Sequence, residues 1–390
     1  MARIAVVHVP FYSHIEAAWR LTRVLLRQGH DISAWAPEAW REEAESEDVA
    51  FHEHQPKMPQ VRGFMNFVAA MAETTERATG PLIEQLVAED FDLLIHDSQA
   101  TWARVAGDYL GIPRIVTHPM FPIVAARRIP DEDEGEEDPD ADDDPEATAL
   151  FDARWLSIAG TWGVELGEVA NVVHTVGLSD TTVAFTTEEI VGESNLVDGW
   201  HCVGPLMDEA PAAAPPGDRP LVYVCLGTSF NTRRTVFRAV VDGLAGEPVD
   251  VLISTGKGRV SAAELGPLPD NVELRDFVPA REVLSRACLH VTHGGCNSVH
   301  ESLLAGVPMI LIPQAFDQFP LAQRIERLGA GLVVDETPMA VRTAARWLLQ
   351  DEDVLACTRD LGRHLAAYDG ESRLAAVVGR VLDESTALSA

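Results

Sequence analysis

Residues 291–318 most strongly limit the folds that are open to this chain. They read VTHGGCNSVHESLLAGVPMILIPQAFDQ, which predicts a strand, a glycine turn, a helix, a second strand and a polar loop in that order. A helix between two such strands typically crosses over a parallel sheet. The stretch therefore indicates an α/β protein, whose ligands bind at the carboxyl ends of the strands.

The turn after the first of these strands has the residues of an anion site. His293 and the glycines that follow it, including Gly295, interrupt the apolar run where a helix can begin with free backbone N–H groups. Such a helix start attracts phosphate. Asn297 and Ser298 are short polar residues in the first turn, so with His293 they can surround a phosphate with donors without a metal ion.

Three further polar residues can bind the remainder of a nucleotide sugar. Glu301 lies one turn into the helix, where its carboxylate can accept hydrogen bonds from two ribose hydroxyls. Asp317 and Gln318 follow the second strand, and two adjacent groups with opposite hydrogen-bonding needs suit the edge of a sugar. The pair favours a sugar that keeps several hydroxyls.

These residues together carry a family resemblance. The ordered set H-G-G-C-N-S-x-x-E, followed by G-V-P and D-Q, resembles the donor signature of the family-one glycosyltransferases, the UDP-glycosyltransferase-like enzymes. It is most similar to that of the bacterial macrolide and other natural-product glycosyltransferases. The resemblance implies a GT-B architecture, in which two Rossmann-like domains face each other across a cleft. It also implies a UDP- or dTDP-sugar as co-substrate, with no cofactor and no metal.

The two halves of the chain open on the same plan. Residues 3–9 predict a buried strand, residues 15–29 a helix and residues 31–35 a second strand, and a fresh strand begins at residue 221. A segment rich in Pro, Ala and acids precedes that strand. With the resemblance, this predicts an N-terminal acceptor-binding domain (1–206), a linker (207–220), a nucleotide-sugar domain (221–372) and a last helix (373–390) that packs back toward the N-terminal domain.

Two residues of the first half match the catalytic pair that the resemblance implies. His14 lies in the turn between the first predicted strand and helix, and Asp97 follows a buried strand at residues 91–96. In the family a histidine here, usually within G-H-x-x-P, is the general base, and an aspartate fixes its tautomer. Ser13 and Ala17 replace that Gly and Pro. From position alone, His14 could instead satisfy a buried backbone group and Asp97 could cap a helix.

Two more segments of the second half belong to the expected donor site. The turn Gly227-Thr228-Ser229 follows the strand that begins at residue 221 and can bring backbone N–H groups close to a phosphate. By resemblance, Phe277 stacks on uracil or thymine and Val278 offers its backbone N–H and C=O to the base. Ala280 stands where the family usually has Gln.

Composition excludes several kinds of partner. The 390 residues carry a formal net charge of -31, so nucleic acid or an anionic membrane would be repelled over most of the surface. The five cysteines include no C-x-x-C pair, which favours reduced thiols. The first residues lack a charged leader with a long apolar core. We therefore expect a cytoplasmic protein without a membrane segment. Composition does not decide between a monomer and a homodimer.

A strongly acidic segment lies in the first half. Residues 131–146 read DEDEGEEDPDADDDPE, with 12 acids and no base. Such a biased run predicts a disordered, solvated loop. Since the resemblance assigns the acceptor to this half of the chain, a second hypothesis is that the loop attracts a cationic acceptor such as an amine-bearing antibiotic.

These features predict an inverting, metal-independent hexosyltransferase that acts on a hydroxyl of a small-molecule natural product such as a polyketide or macrolide. A nucleotide-sugar epimerase and a catalytically inactive auxiliary or binding protein of the same fold are alternatives. A dinucleotide oxidoreductase is disfavoured, because Ser261 stands where G-x-G-x-x-G needs its third glycine. A thiol enzyme that uses Cys296 is a further alternative, since a helix start lowers a thiol pKa.

Overall fold

Two parallel sheets form the centre of the protein. The computed structural model describes residues 1–59, 64–122, 145–166, 181–192, 198–207, 217–227, 233–256, 260–315 and 317–389. Thr228, Ser229, residues 131–144 of the acidic segment and most of the predicted linker lie outside this part of the chain. None of the helices in the described ranges is long and apolar enough to span a membrane.

The first sheet and its helices come from the N-terminal half. Short apolar runs such as RIAVV and LLIHD form its strands, as expected where helices cover both faces. The elements are β1 (Arg3–Val7), α1 (Tyr12–Arg27), β2 (Asp31–Ala36), α2 (Arg41–Ser46), β3 (Ala50–Glu53), α3 (Phe64–Leu86), β4 (Leu93–Asp97), α4 (Thr101–Leu110), β5 (Arg114–His118), α5 (Pro145–Trp162), β6 (Thr182–Ala184), α6 (Glu188–Val191) and β7 (Trp200–Cys202).

The second sheet repeats the plan in the C-terminal half. Its elements are β8 (Leu221–Cys225), α7 (Arg234–Leu244), β9 (Asp250–Ser254), α8 (Ala262–Leu265), β10 (Val272–Arg275), α9 (Ala280–Leu284), β11 (Leu289–Thr292), α10 (Cys296–Ala305), β12 (Met309–Leu311), α11 (Gln318–Arg327), β13 (Gly331–Val333), α12 (Pro338–Leu348), α13 (Glu352–Ala366) and α14 (Gly370–Ser389).

The strand order places a crevice at the same point of both sheets. The first sheet has the order β3-β2-β1-β4-β5-β6-β7 and the second β10-β9-β8-β11-β12-β13. In the first sheet Val7 of β1 pairs with His96 of β4, and in the second Cys225 of β8 pairs with Thr292 of β11. The chain order reverses between these strands, so the loops that follow them open a ligand crevice.

Apolar packing joins the two halves. Phe121 and Ile190 of the first half share one buried cluster with Leu303 and Leu311 of the second. The last helix, α14, crosses to the first sheet and adds four buried side chains to its core: Leu374, Val377, Val378 and Val381. The two sheets are therefore held against each other by buried apolar surface on two sides.

The structure corrects three of the predicted boundaries. Helix α1 begins at Tyr12 rather than residue 15, because Phe11 is extended and acts as the N-cap residue, so His14 lies in the first helical turn. Pro145 and Glu146 begin α5 and are not part of a loop, since proline suits the first position of a helix. The last helix begins at Gly370, whose missing side chain leaves room for the Val203 carbonyl.

Candidate active site

His14 and Asp97 form a hydrogen-bonded pair at the edge of the first sheet. His14 Nδ1 lies 2.9 Å from Asp97 Oδ2, although the residues are 83 positions apart. Asp97 is the last residue of β4, and the first turn of α1 brings His14 over it. The His14 side chain is 11% exposed and that of Asp97 is 1% exposed. The pairing is the one that the resemblance implies.

Asp97 is held as a carboxylate. Burial on its own would raise its pKa, but the charge of His14 and hydrogen bonds from His14 and the Gln99 N–H hold the pKa below its ordinary value. Gln99 N donates to Asp97 Oδ1 over 2.8 Å, so both carboxylate oxygens are engaged. With Nδ1–H of His14 donating to Asp97, His14 Nε2 keeps the lone pair that can accept a proton.

In the second half, the imidazole of His293 lies in a slot between two glycines. A Cβ added at Gly227 would lie 2.7 Å from His293 Cε1, and one at Gly295 would lie 2.5 Å from His293 Nε2. Gly227 also has a φ of +74°, which residues with a side chain rarely adopt. The two glycines therefore allow the ring to lie directly beside the start of α10.

His293 is a neutral donor rather than a cation. Burial lowers the pKa of His293 to about 4, so the ring is uncharged at neutral pH. The Thr292 hydroxyl lies 3.4 Å from His293 Nδ1, and when that hydroxyl donates to Nδ1, Nε2 carries the N–H beside Gly295. An anion at this helix start would meet an N–H donor and the helix dipole, without a positive charge from His293.

Asn297 and Ser298 lie in the first turn of α10 as predicted, but Asn297 already has partners. Its Nδ2 donates to the Ser13 carbonyl over 3.2 Å, and its Oδ1 accepts from Arg20 Nη2 over 2.9 Å. Both partners belong to the N-terminal half. Within the described chain the Ser298 hydroxyl has no hydrogen bond, so it is available to a ligand. That either residue binds the nucleotide sugar remains a prediction.

Glu301, one turn further along α10, has an unusual acidity. Burial and the nearby charge of Glu16 raise the pKa of Glu301 to about 7, against the opposing attraction of Arg20 and Arg281. The carboxyl group is therefore divided between its acid and carboxylate forms near neutral pH. Ribose hydroxyls would stabilise the carboxylate by donating to it.

Asp317 and Gln318, which are predicted to bind the edge of the sugar, make different hydrogen bonds in the structure. Asp317 Oδ2 accepts a hydrogen bond from the Phe121 N–H over 2.9 Å, and burial raises the pKa of Asp317 even though this bond and His14 oppose the shift. Gln318, the first residue of α11, accepts through Oε1 from the N–H groups of Gln314 and Ala315 in the preceding loop. Asp317 is thus within electrostatic range of His14, at the point where the two halves meet.

Phe277 and Val278 precede α9 on the other side of the second sheet. Phe277 is 54% exposed, whereas Val278 is 5% exposed. An exposed aromatic ring is able to stack on a base. The contacts of both residues with a nucleobase remain a prediction, and so does the approach of Thr228 and Ser229 to a phosphate.

The structure contradicts the thiol alternative. Cys296 is buried, and burial together with the charge of Asp317 raises its pKa well above the ordinary value. Burial is the larger of these two causes, and both favour the neutral thiol. Cys296 therefore stays protonated at neutral pH and is a poor nucleophile.

Sequence reasoning missed the residues that join the halves at the site. Arg20 reaches Asn297, the Phe121 N–H reaches Asp317, and His300 Nε2 lies 3.1 Å from the Thr186 hydroxyl. Arg20, Phe121 and Thr186 lie outside the quoted motifs, and His300 occupies a variable position of the motif on α10. A histidine in the middle of α10 and an arginine among the apolar positions of α1 were the available signals.

The buried histidines predict an acid-sensitive fold. Burial lowers the pKa of five imidazoles to about 3 or 4: His8, His54, His290, His293 and His300. Below about pH 6.5 the unfolded chain binds protons that the folded chain does not, so the free energy of unfolding falls as pH falls. The expected slope is about 1.4 kcal/mol per pH unit for each imidazole.

Urea unfolding at pH 7 and pH 5 measures this effect. His300→Gln keeps an amide near Thr186 and removes one titrating group, so its loss of stability between the two pH values should be smaller than that of the wild type. Equal stability of the wild-type protein at both pH values would contradict the prediction.

Known proteins share both the sequence and the fold. The family described as "Erythromycin biosynthesis protein CIII-like, C-terminal domain" matches residues 242–377. Demethyllactenocin mycarosyltransferase of Streptomyces fradiae is 30% identical over 371 residues, which are 85% of this chain and 75% of the relative. NDP-glycosyltransferase YjiC of Bacillus subtilis (strain 168) is 25% identical and covers 98% of each chain.

A solved structure, that of the glycotransferase of kitacinnamycin, superimposes with a TM-score of 0.83. The match covers 98% of this chain and 99% of the other at 24% identity, so it establishes the two-domain GT-B fold. With the mycarosyltransferase similarity, this confirms the predicted fold class and resemblance. The chain belongs to the family-one glycosyltransferases of the macrolide type, which transfer a sugar from a nucleoside diphosphate sugar.

Proposed function

We propose that the protein transfers a sugar from a UDP- or dTDP-sugar to a hydroxyl of a small-molecule natural product such as a polyketide or macrolide, with inversion at the anomeric carbon. The observation that carries this proposal is the His14–Asp97 pair, 2.9 Å apart at the crevice of the first sheet. Ser13, the neighbour of His14, contacts Asn297 at the start of α10. A base and an anion-binding helix start therefore adjoin across the domain interface.

The chemistry follows from the tautomer of His14. Its Nε2 accepts the proton of the acceptor hydroxyl as the oxygen attacks the anomeric carbon, and the bond to the nucleoside diphosphate breaks on the opposite face. Because the acceptor oxygen attacks the face opposite the leaving diphosphate, the configuration at the anomeric carbon is inverted. Asp97 stabilises the imidazolium that forms, because its carboxylate is retained by its hydrogen bonds.

The leaving diphosphate is stabilised by the start of α10. Negative charge grows on the diphosphate as the bond breaks, and the helix N–H groups, the Ser298 hydroxyl and the neutral His293 N–H are the proposed donors. We propose that these donors suffice and that no metal or further cofactor takes part. The nucleotide sugar is then a co-substrate.

Relatives support a natural-product acceptor. Demethyllactenocin mycarosyltransferase is named for a mycarosyl transfer and YjiC for an NDP donor, so the proposed donor and acceptor classes agree with those names. Phe277 favours no particular pyrimidine, since both uracil and thymine can stack on its ring. We propose that Asp317 and Gln318 bind the sugar hydroxyls and thereby select the sugar.

The test is a calorimetric titration with UDP and with dTDP in the presence of a chelator, on the wild type and on His293→Ala. We expect one nucleotide to bind the wild type and to bind the variant more weakly. The anomeric proton coupling of the product, measured by NMR with the selected sugar, then reports inversion or retention. Failure of both nucleotides to bind would contradict the donor site and favour an auxiliary or binding protein.

The acidic segment gives a separate prediction about the acceptor. If it attracts a cationic acceptor, deleting residues 131–144 should raise the acceptor KM chiefly at low salt, because salt screens the attraction. Helix α5 begins at Pro145 and stays intact in this deletion. Steady-state kinetics at low and high salt with an amine-bearing acceptor and a neutral one measure the effect. An unchanged KM at low salt would leave the segment as a solvated loop.

A further inference from the structure

Arg20 links the helix of the proposed base to the helix of the donor site. It lies on α1, six residues after His14, and its Nη2 donates to Asn297 Oδ1 over 2.9 Å. The same amide donates through Nδ2 to the carbonyl of Ser13 over 3.2 Å. Two hydrogen bonds of opposite direction therefore join the N-terminal part of α1 to the first turn of α10.

The arginine is held in this geometry by its surroundings. Its side chain is only 10% exposed, and Arg20 Nη1 lies 3.9 Å from Glu16 Oε1, one turn earlier on α1. A planar guanidinium with several donors can contact both groups at once, whereas an ammonium group is a compact charge on a flexible stem. Arg20 is thus a partly desolvated, oriented cation at the domain interface.

The helices that Arg20 joins both carry chemistry. His14 directly follows Ser13, and Asn297 belongs to the turn whose N–H groups are the proposed phosphate donors. Of the other contacts between the halves near the site, Phe121 with Asp317 involves neither α1 nor α10, and Thr186 with His300 involves α10 but not α1. The distance from the base to the donor therefore depends on how α1 lies against α10, which is where Arg20 and Asn297 meet.

We propose that Arg20 is a positioning residue of the transfer reaction. Through its hydrogen bond to Asn297 it holds α1, and with it His14, in a fixed position against α10. This rests on the proposed function, because it assumes that α10 binds the donor and that His14 is the base. The contact is made by the protein alone, so Arg20 changes the alignment of the base more than the affinity for the nucleotide.

A matched control lies on the same helix. Arg23 is also on α1, but it pairs with Glu43 and Glu47 of its own half and makes none of the described contacts with α10. Arg20→Ala and Arg23→Ala each remove one cation from α1. Only the first removes the link to Asn297.

The experiment compares Arg20→Ala, Arg20→Lys, Asn297→Ala, the double variant Arg20→Ala/Asn297→Ala and Arg23→Ala with the wild type. UDP-glucose and dTDP-glucose serve as donors and the fluorescent phenol 4-methylumbelliferone as acceptor probe. The readouts are kcat, donor KM and the ratio of transfer to donor hydrolysis by water. Urea unfolding checks that each variant is folded, and hydrogen exchange of the α10 amides reports the contact without any activity.

We expect Arg20→Ala to lower kcat about 10- to 100-fold with donor KM changed less than about threefold, because a misplaced base costs rate rather than binding. The transfer-to-hydrolysis ratio should fall, and Arg20→Lys should recover only part of kcat. The double variant should be no worse than the more impaired single variant. Arg23→Ala should keep wild-type kinetics, and the first-turn amides of α10 should exchange faster in Arg20→Ala than in Arg23→Ala or the wild type.

Three results would overturn the proposal. A large rise in donor KM at unchanged kcat would make Arg20 a ligand of the diphosphate, and additive losses in the double variant would separate Arg20 from Asn297. Equal changes of kcat in Arg20→Ala and Arg23→Ala would show that Arg20 contributes only to the stability of α1. Absence of transfer by the wild type with any donor would contradict the proposed function itself, whereas the exchange data would still show whether the contact exists.

Discussion

Replacing His14 with alanine is expected to lower kcat by about 10²- to 10⁴-fold, the usual contribution of a positioned general base. The acceptor hydroxyl has a high pKa and is a weak nucleophile until its proton is removed. The imidazole paired with Asp97 is held at 2.9 Å in the tautomer that leaves Nε2 free to accept that proton. Donor KM should change little, since His14 lies in the other half of the protein from α10.

Two further variants separate the base from its hydrogen bond. His14→Gln can still donate an amide N–H to Asp97 but cannot take up a proton, so it should be as impaired as His14→Ala. Asp97→Asn leaves the imidazole in place and weakens control of its tautomer, so its activity should fall as well. The measurement is the initial rate over pH 6 to 9 for each variant.

His364→Ala is the control for loss of a histidine. This residue lies on α13 with a 69% exposed side chain, and its removal should leave kcat unchanged. If His14→Ala retained more than about a tenth of the wild-type kcat, His14 would have no role as the base. The pair with Asp97 would then be a structural contact at the end of β4.

Substituting Gly295 by alanine is expected to weaken nucleotide binding about 10- to 100-fold, the effect of losing a hydrogen bond to a charged phosphate. The backbone at Gly295 has φ −69°, which alanine adopts without strain, so the change acts on the neighbouring ring alone. A Cβ there would lie 2.5 Å from His293 Nε2 and must displace the imidazole. The displaced ring would no longer present its N–H at the start of α10.

The test is the affinity of the protein for UDP and dTDP by calorimetry. Gly379→Ala is the control, since a Cβ at that position in α14 has no atom within 4 Å, and it should bind nucleotide as the wild type does. The double variant Gly295→Ala/His293→Ala should bind no worse than His293→Ala, because the ring that the methyl group displaces is already absent. Wild-type affinity in Gly295→Ala would show that the His293 ring makes no contact with the nucleotide.

Local sequence determined the elements and the edges at which the chemistry lies. Apolar runs such as RIAVV predict buried strands, and the glycines after β11 predict a helix start, because strand burial and turn geometry depend on neighbouring residues. The positions of His14 and Asp97 after two strands already placed them at one sheet edge. The motif on α10 indicated the family because its residues are consecutive in the chain and can be read without the tertiary structure.

Tertiary structure decided which side chains meet. The sequence predicts that Asn297 donates a hydrogen bond to a phosphate, yet its amide contacts Ser13 and Arg20. Asp317 accepts a hydrogen bond from the Phe121 N–H in the other half. These contacts depend on how the two sheets lie against each other, which follows from shared apolar packing and from α14 crossing back. No short pattern encodes that placement, because the residues that set it lie hundreds of positions apart in the chain.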